Sequence, residues 1–364
     1  MSVARIAIDA RMAAEVPAGR GRYLRELIAA LVGLLGDRRL ILYARRSWDG
    51  APADERIGWR IVSGGDVTWP LAAGRAMRGE CDAALATSSY LLCAAAPAPV
   101  HSMVWDLAPF HRELRTPRGS AFERATLPLA VHRCASLVAI SHATRAELGA
   151  RYPRATGKTV VAPPAASGHF AARPDPGDEA ARERHGVCGP YVLATGTLEP
   201  RKNLPRLIEA FAALPERVRG GRRLVLAGAP GWETAATFAV AAAYAELVQT
   251  LGFVPDEDLP ALYRGADVFC YPSLYEGFGI PVLEAMSCGV PVLTSSVSSM
   301  PEVGGDAARY ADPHDTAAIS RALAELLADV DVRSSLAERG VRRARRFAWE
   351  GTARAVLDAL EGYG

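Results

Sequence analysis

Twice along its 364 residues this chain runs through one pattern, short apolar segments alternating with amphipathic helical ones. VARIAIDA opens the first series as a strand. GRYLRELIAALVGLL follows, with Leu24, Leu27, Ile28, Leu31, Leu34 and Leu35 at helical spacing. RLILYA, WRIVS, DAALAT, VHSMVWD, SLVAIS and KTVVAPP read as further strands, with helices over residues 117–133 and at HATRAELGARY. The second series starts at YVLATG and runs through NLPRLIEAFAAL, RLVLAG, ETAATFAVAAAYAEL, VQTLGFV, DEDLPALYRGA, VFCYPS, PVLEAMSC and VPVLTS. DTAAISRALAELLAD and the segment from Val332 onward read as closing helices. Near-continuous apolar strands alternating with helices imply parallel sheets covered on both faces, since each strand must be buried on two sides.

Between the two series, residues 163–190 are rich in Pro, Gly, Ala and charge and read as an interdomain connection. The expected architecture is α/β, two doubly wound Rossmann-like domains facing a cleft. Residues 1–175 form the first domain and residues 188–345 the second; residues 346–364 form a helix packing back on the first. A chain of this length exceeds one ordinary core. Ligands of such sheets bind at the carboxyl ends of strands, so the site is expected in the cleft.

Three loops at strand ends carry residue types suited to an anionic ligand. PAGRGRY, residues 17–23, places Gly19 and Gly21 between the first strand and the first helix, where the backbone approaches a ligand closely. It lacks the third Gly of a dinucleotide fingerprint, and a plain tight turn accounts for it equally. GTLEPRKNLPRL, residues 196–207, puts Arg201 and Lys202 on a strand-to-helix loop, with Asn203 as N-cap. The chain carries only two lysines, Lys158 and Lys202, among 42 basic residues, so a lysine at this loop is conspicuous. Arg grips an oxygen pair and Lys supplies a compact point charge; together they suit a diphosphate. YEGFGIPVLEAMSCGVPVL, residues 275–293, holds Glu276 and Glu284 in an otherwise apolar run with seven residues between them. Pro281 suits a first helical turn, which puts Glu284 about one turn inside the helix and Glu276 in the loop before it. Gly277 and Gly279 bare backbone N–H groups beside that helix start. Alone, Glu276 reads as a cap and Glu284 as a surface acid; with the Arg-Lys loop they read as one site.

Composition narrows the class. Half the residues are hydrophobic, about a quarter are charged, and the net charge is +2, which argues against a nucleic-acid binder. Arg342-Arg343-Ala344-Arg345-Arg346 reads as a solvated face, or as a weak peripheral contact with an anionic membrane surface. The six cysteines form no Cys-x-x-Cys and have no His at metal-ligand spacing; they read as reduced and buried. The first residues enter a strand directly and no apolar run reaches membrane-spanning length. The expected location is cytoplasmic, or peripheral at the inner membrane face.

Residues 196–312 closely resemble the nucleotide-sugar glycosyltransferases of GT-B fold in the large retaining family 4. The matching stretches are GTLEPRKNLPRLIEAF, the run from LGFVPDEDLPALYRGADVFCYPSLYEGFG to GGDAARYADP, and FAWEGTA. Glu276 and Glu284 match that family's Glu-x7-Glu motif. IDARM, GRGRY, VWDLAPF and AISHATRAEL extend a looser resemblance over the first half, and the flavour is that of the mannosyltransferase-like branch.

The resemblance implies a hexose moved from a nucleotide-diphosphate sugar to a hydroxyl of a saccharide, lipid-linked or natural-product acceptor. A GDP-mannose-like donor is favoured over UDP- or dTDP-sugars. It implies that Glu284 holds the ribose, that Glu276 contacts the sugar beside the Gly277, Phe278 and Gly279 backbone, and that Arg201 and Lys202 neutralise the diphosphate. Thr197 lines the donor, the base lies near Phe253 and Val254, and Gly19 and Gly21 approach from the other domain. Retention follows from the resemblance, with front-face attack and no covalent nucleophile. No cofactor or metal is expected, since the cations and helix ends stabilise the departing diphosphate. Relatives often carry His-Asp where this chain has Trp105-Asp106, and TSSYLL also lacks a His. Asp106 is the candidate for orienting the acceptor, with His111 a lesser one; His132 and His142 lie in helical runs. Among rivals, a nicotinamide oxidoreductase needs a complete Gly-x-Gly-x-x-Gly and a following acid, which neither half supplies. A solute-binding protein needs an export signal, and a phosphorylase a cofactor-bearing lysine. A sugar-nucleotide epimerase is the strongest alternative.

Overall fold

The computed structural model describes residues 3–17, 19–97, 99–114 and 119–362. The chain divides into two units, Met1–Pro164 with Ala348–Gly364, and Ala165–Phe347. The first unit holds β1 (Arg5–Asp9), β2 (Arg39–Ala44), β3 (Ile57–Ile61), β4 (Ala83–Ala86), β5 (Val100–Val104), β6 (Leu137–Ala139) and β7 (Thr159–Val161). They pair in parallel in the order β3-β2-β1-β4-β5-β6-β7. The second holds β8 (Tyr191–Thr195), β9 (Arg223–Ala227), β10 (Val248–Gly252), β11 (Val268–Tyr271), β12 (Val292–Ser295) and β13 (Ala308–Ala311), parallel in the order β10-β9-β8-β11-β12-β13. Both are doubly wound Rossmann-like sheets. In each, strand order reverses beside the first strand, between β1 and β4 and between β8 and β11. That reversal opens a crevice at the strands' carboxyl ends.

The apolar runs become these strands because both sheet faces are covered. β4, β5, β8, β11 and β12 are buried at every residue, so they show no alternation in the sequence. Leu207, Ile208 and Phe211 of the helix Leu204–Ala212 lie in one core cluster with Leu224, Leu226 and Cys270. The last helix, Trp349–Glu361, packs on the helix Arg20–Val32, with Tyr23 edge-on to Trp349 at 5.2 Å and the Thr352 hydroxyl donating to the Pro163 carbonyl at 2.5 Å.

Some expectations need correction. The stretch 163–190 is not plain connection: Asp178–Arg184 is a helix, held by Ala181 in the core and by the Asp178–Arg264 pair at 2.7 Å. Such pairing is invisible to composition. The helix near residue 235 spans only Ala235–Ala243, before the turn into β10. The helix expected from residue 117 is seen as Gly119–Arg133; residues 117 and 118 lie outside the described residues. β13 and the helix Thr68–Ala76 have no counterpart among the sequence expectations. Cys188 is exposed while the other five cysteines are buried, because its GVCGP segment is a turn. Among the described residues no helix is long and apolar enough to cross a membrane.

Candidate functional site

The second unit's crevice is built by the loops leaving β8 and β11. After Thr195 the chain turns at Gly196, whose φ of 113° suits glycine, passes through Pro200–Lys202 as a 3-10 turn, and enters the helix Leu204–Ala212. Asn203 sits at the junction with φ 61°, but its side chain does not cap the helix. Its amide instead donates to the Pro272 carbonyl at 3.0 Å and the Pro313 carbonyl at 2.6 Å. The Leu274 N–H donates to the Arg201 carbonyl at 2.8 Å. The two loops are thereby fastened to each other, and Arg201, Lys202 and Glu276 come together.

Glu276 is 7% exposed. One carboxylate oxygen accepts from Lys202 Nζ at 2.6 Å and the other from the Arg201 guanidinium. Arg201 Nε also donates to Glu199 at 2.8 Å. Lys202 Nζ donates further to the Tyr271 hydroxyl and lies 4.6 Å from that ring's centre. Burial disfavours the Glu276 charge, yet the Arg201 and Lys202 cations outweigh it and hold the carboxyl down at about 2. Burial, then the neighbouring Arg201, lowers the Lys202 ammonium from its ordinary value, against the pull of Glu276. Ion pairs of this depth cost several kcal/mol of desolvation per ion, about as much as they return, so the cluster is weakly explained by stability alone.

Behind it, the helix Ile280–Ser287 begins at Gly279, with φ 108°. An L side chain is strained at that φ, and a Cβ there, 2.4 Å from Met300 Cε, would also push the methionine aside. Ser298 and Ser299 clamp the preceding turn. The Glu276 N–H donates to Ser298 Oγ at 2.9 Å, and Ser299 Oγ donates to the Glu276 and Phe278 carbonyls at 3.0 and 2.8 Å. Phe278 is buried edge-on to Phe347 at 5.5 Å. Gly277 lies in the same turn. Glu284 is buried, not at the surface, and accepts from the Tyr263 hydroxyl at 2.8 Å; that hydroxyl also bonds Thr195 Oγ1 at 2.7 Å. Thr197 is exposed in the loop after β8. After β10, Phe253 is exposed at 61% and Val254 is buried.

In the first unit, Gly19 precedes the helix Arg20–Val32 with φ 54° and open space where a Cβ would be. Gly21 is buried, and its Cβ would lie 1.8 Å from the Val16 carbonyl, so close chain approach alone demands glycine. At the β1/β4 reversal the Asp9 carboxylate accepts from the Ser88 N–H at 2.8 Å and hydroxyl at 2.5 Å. Trp105 is buried, its indole N–H donating to the Thr87 carbonyl at 2.7 Å. Asp106 accepts from the Ala108 N–H at 3.0 Å and lies 3.8 Å from Arg20, which lies 3.7 Å from Glu123. Burial raises the Glu123 carboxyl, although about a third of its side chain (35%) stays accessible. Arg20, Asp106 and Glu123 line a cavity of about 140 Å³ with Ser88, Ser89 and Tyr90. His111 is engaged with Glu147 at 2.8 Å and does not line that cavity.

Sequence reasoning missed Tyr271, Tyr263, Glu199, Ser298, Ser299, Arg20 and Glu123. Arg20 lies inside the GRGRY stretch and Glu199 two residues before Arg201, so proximity was a usable signal. The tyrosines end or face uniformly buried segments, where nothing marks them.

Residues 179–343 match the family model described as glycosyl transferases group 1. O-antigen chain mannosyltransferase B of Escherichia coli is 45% identical over 173 residues, 47% of this chain and 45% of that protein. The chain therefore spans less than half the length of that relative. Sucrose-phosphate synthase from Thermosynechococcus elongatus superposes with a TM-score of 0.79 at 20% identity, covering 97% of each chain. Anabaena HepE, solved with UDP and glucose, gives 0.78 at 19% identity over 98% of this chain and 99% of that one. The fold is GT-B, two parallel-sheet Rossmann-like domains.

Proposed function

We propose that the protein is a retaining glycosyltransferase that moves a hexose from a nucleoside-diphosphate sugar to an acceptor hydroxyl, with GDP-mannose the favoured donor. The observation that carries this reading is the meeting of buried Lys202 and Glu276 with half-buried Arg201 at the reversal of strand order. The match of residues 179–343 supports the class, and the mannosyltransferase relative supports the sugar. UDP in the HepE structure keeps uridine donors in the comparison.

With Glu199, the cluster holds two cations and two carboxylates and is neutral at rest. An entering diphosphate exchanges the Glu276 oxygens for its own on Arg201 and Lys202, which frees Glu276 for the sugar. Glu284 takes the ribose hydroxyls, and Thr197 and the Gly277, Phe278 and Gly279 backbone line the donor, with the base near Phe253 and Val254. Gly19, open and at positive φ, suits close approach of phosphate; Gly21 supports that turn. Charge developing on the leaving oxygen is met by the two cations, so the chemistry needs no added metal. Asp106 orients the acceptor, a saccharide, lipid-linked or natural-product hydroxyl. The exposed Arg342, Arg345 and Arg346 favour weak peripheral contact with an anionic membrane surface, at about 1 kcal/mol each.

Thermal stabilisation by UDP, GDP, dTDP, ADP and NAD tests the reading, because a ligand of the folded state raises its apparent stability. One nucleoside diphosphate should stabilise, and EDTA should leave donor turnover unchanged. A shift with NAD alone sinks the transferase reading. Release of an isomerised sugar without transfer to any acceptor favours an epimerase.

A further inference from the structure

We propose that Tyr271 is a positioning residue for the Lys202 ammonium, an inference that rests on the donor-site reading above. Tyr271 ends β11 and is buried. Its ring stacks on Phe269, with centroids 5.8 Å apart and planes at 22°, and its carbonyl accepts from Thr294 Oγ1 at 2.8 Å. The hydroxyl is therefore presented from a fixed strand. It accepts from Lys202 Nζ, which also donates to the Glu276 carboxylate, so the ammonium joins the two groups.

An ammonium has three N–H donors. One goes to Tyr271 and one to Glu276; the third has no partner among the described residues. Gly196 keeps the neighbouring space clear, since a Cβ there would lie 3.6 Å from Lys202 Cε and 3.7 Å from Nζ. Two anchors of different charge hold this flexible side chain. Glu276 is the anchor that donor binding draws away, and while paired it cancels the lysine's charge. Tyr271 is neutral. It holds the ammonium in place with its full charge available to the departing diphosphate. The groups facing the pair are Arg201, Glu199, Glu276 and Glu284, from the loop after β8, the loop after β11 and the helix Ile280–Ser287.

Tyr271→Phe keeps the ring and removes the hydroxyl. A hydrogen bond to a charged group is worth roughly 1.5–3 kcal/mol, so kcat should fall at least about tenfold, with donor KM within about threefold. Losing an acceptor disfavours the charged lysine, so the alkaline limb of the kcat/KM profile should move to lower pH. Because Lys158 and Lys202 are the only lysines, lysine-selective isotope labelling gives two side-chain signals. In the unaltered protein an NOE should link the Lys202 signal to the Tyr271 ring; its absence overturns the geometry whether or not the variant folds. A Tyr271→Phe protein with wild-type kcat and alkaline limb also overturns the inference. Lys202→Ala separates the two readings. If it is impaired while Tyr271→Phe is not, only Tyr271 was misassigned; if it matches wild type, the donor site itself is wrong.

Discussion

The crevices at β8/β11 and β1/β4 share a topology and differ in how they hold charge. In the second unit, Glu276 and Lys202 are almost fully buried and meet at 2.6 Å, and Glu276 takes the Arg201 guanidinium as well. In the first, Arg20 keeps a third of its side chain accessible and stands 3.7–3.8 Å from Glu123 and Asp106, beyond hydrogen-bond length. Its buried carboxylate, Asp9, is used on backbone and hydroxyl donors that fix the loop after β4. One fold position thus carries a preset, desolvated charge cluster in one unit and an open, adjustable one in the other. A preset cluster suits a ligand part that never varies, such as a diphosphate. An adjustable one suits a part that does.

The largest expected contrast is in acid. In the first unit His101 on β5 is buried; Nδ1 bonds Ser136 Oγ at 2.6 Å while Nε2 has no partner among the described residues. Burial holds its pKa at about 4, below an ordinary 6.5. A base with a lowered folded pKa stabilises fully above the unfolded value and loses that contribution as pH falls through 6.5 towards 4. The loss amounts to about 3 kcal/mol. In the second unit, Glu276 contributes fully above 4.5 and loses its contribution only as pH falls towards about 2. Hydrogen exchange read by mass spectrometry at pH 7, 5 and 3.5 should show β5 and β6 opening before β8 and β11. His101→Gln should flatten the first window. Simultaneous opening of both units would break the contrast.

Next is the effect on turnover. Lys202→Ala removes a cation from a desolvated site and leaves Glu276 with one partner, so donor turnover should fall about ten- to a hundredfold. Glu276→Gln keeps the shape and removes the charge that organises both cations, and should also lower turnover. Steady-state kinetics beside circular dichroism checks both. Unchanged kinetics in the two variants would show that the buried cluster is structural.

The loops that carry the second unit's cluster were legible because their chemistry is local: a cation pair directly after Pro200 in a strand-to-helix loop, and an acid before Gly-x-Gly. That Arg201, Lys202 and Glu276 meet follows from sheet order, since β8 and β11 are neighbours only after a crossover. Periodicity indicates two doubly wound sheets and hence that crossover. What it cannot show is long-range fastening, as in Asn203, whose amide bonds Pro272 and Pro313 instead of capping its own helix. Nor can it mark Tyr271, which ends a strand buried on both faces and looks in sequence like any other core aromatic. The helix Asp178–Arg184 escaped for the same reason, its hold on the sheet unit being the distant Arg264. Arg20 and Glu123 are about a hundred residues apart, and only the fold joins them at one cavity.

The smallest expected effect sharpens the comparison from the open side. Ion pairs with a third of their surface in water, at near 4 Å, contribute about 0–1 kcal/mol. Arg20→Gln should therefore shift global stability by less than about 1 kcal/mol, in contrast to the buried cluster, where removing one partner leaves a stranded charge. If Arg20, Asp106 and Glu123 serve the variable half of the reaction, the same substitution should change the apparent KM for acceptor severalfold. The donor KM should stay where it was. Asp106→Asn should act in the same direction, because it keeps the bond to the Ala108 N–H while removing the charge that faces Arg20. Initial rates over a grid of donor and acceptor concentrations separate these terms. A change in donor KM equal to that of Lys202→Ala would mean that both crevices grip the same ligand part, and the division between a preset and an adjustable site would fail.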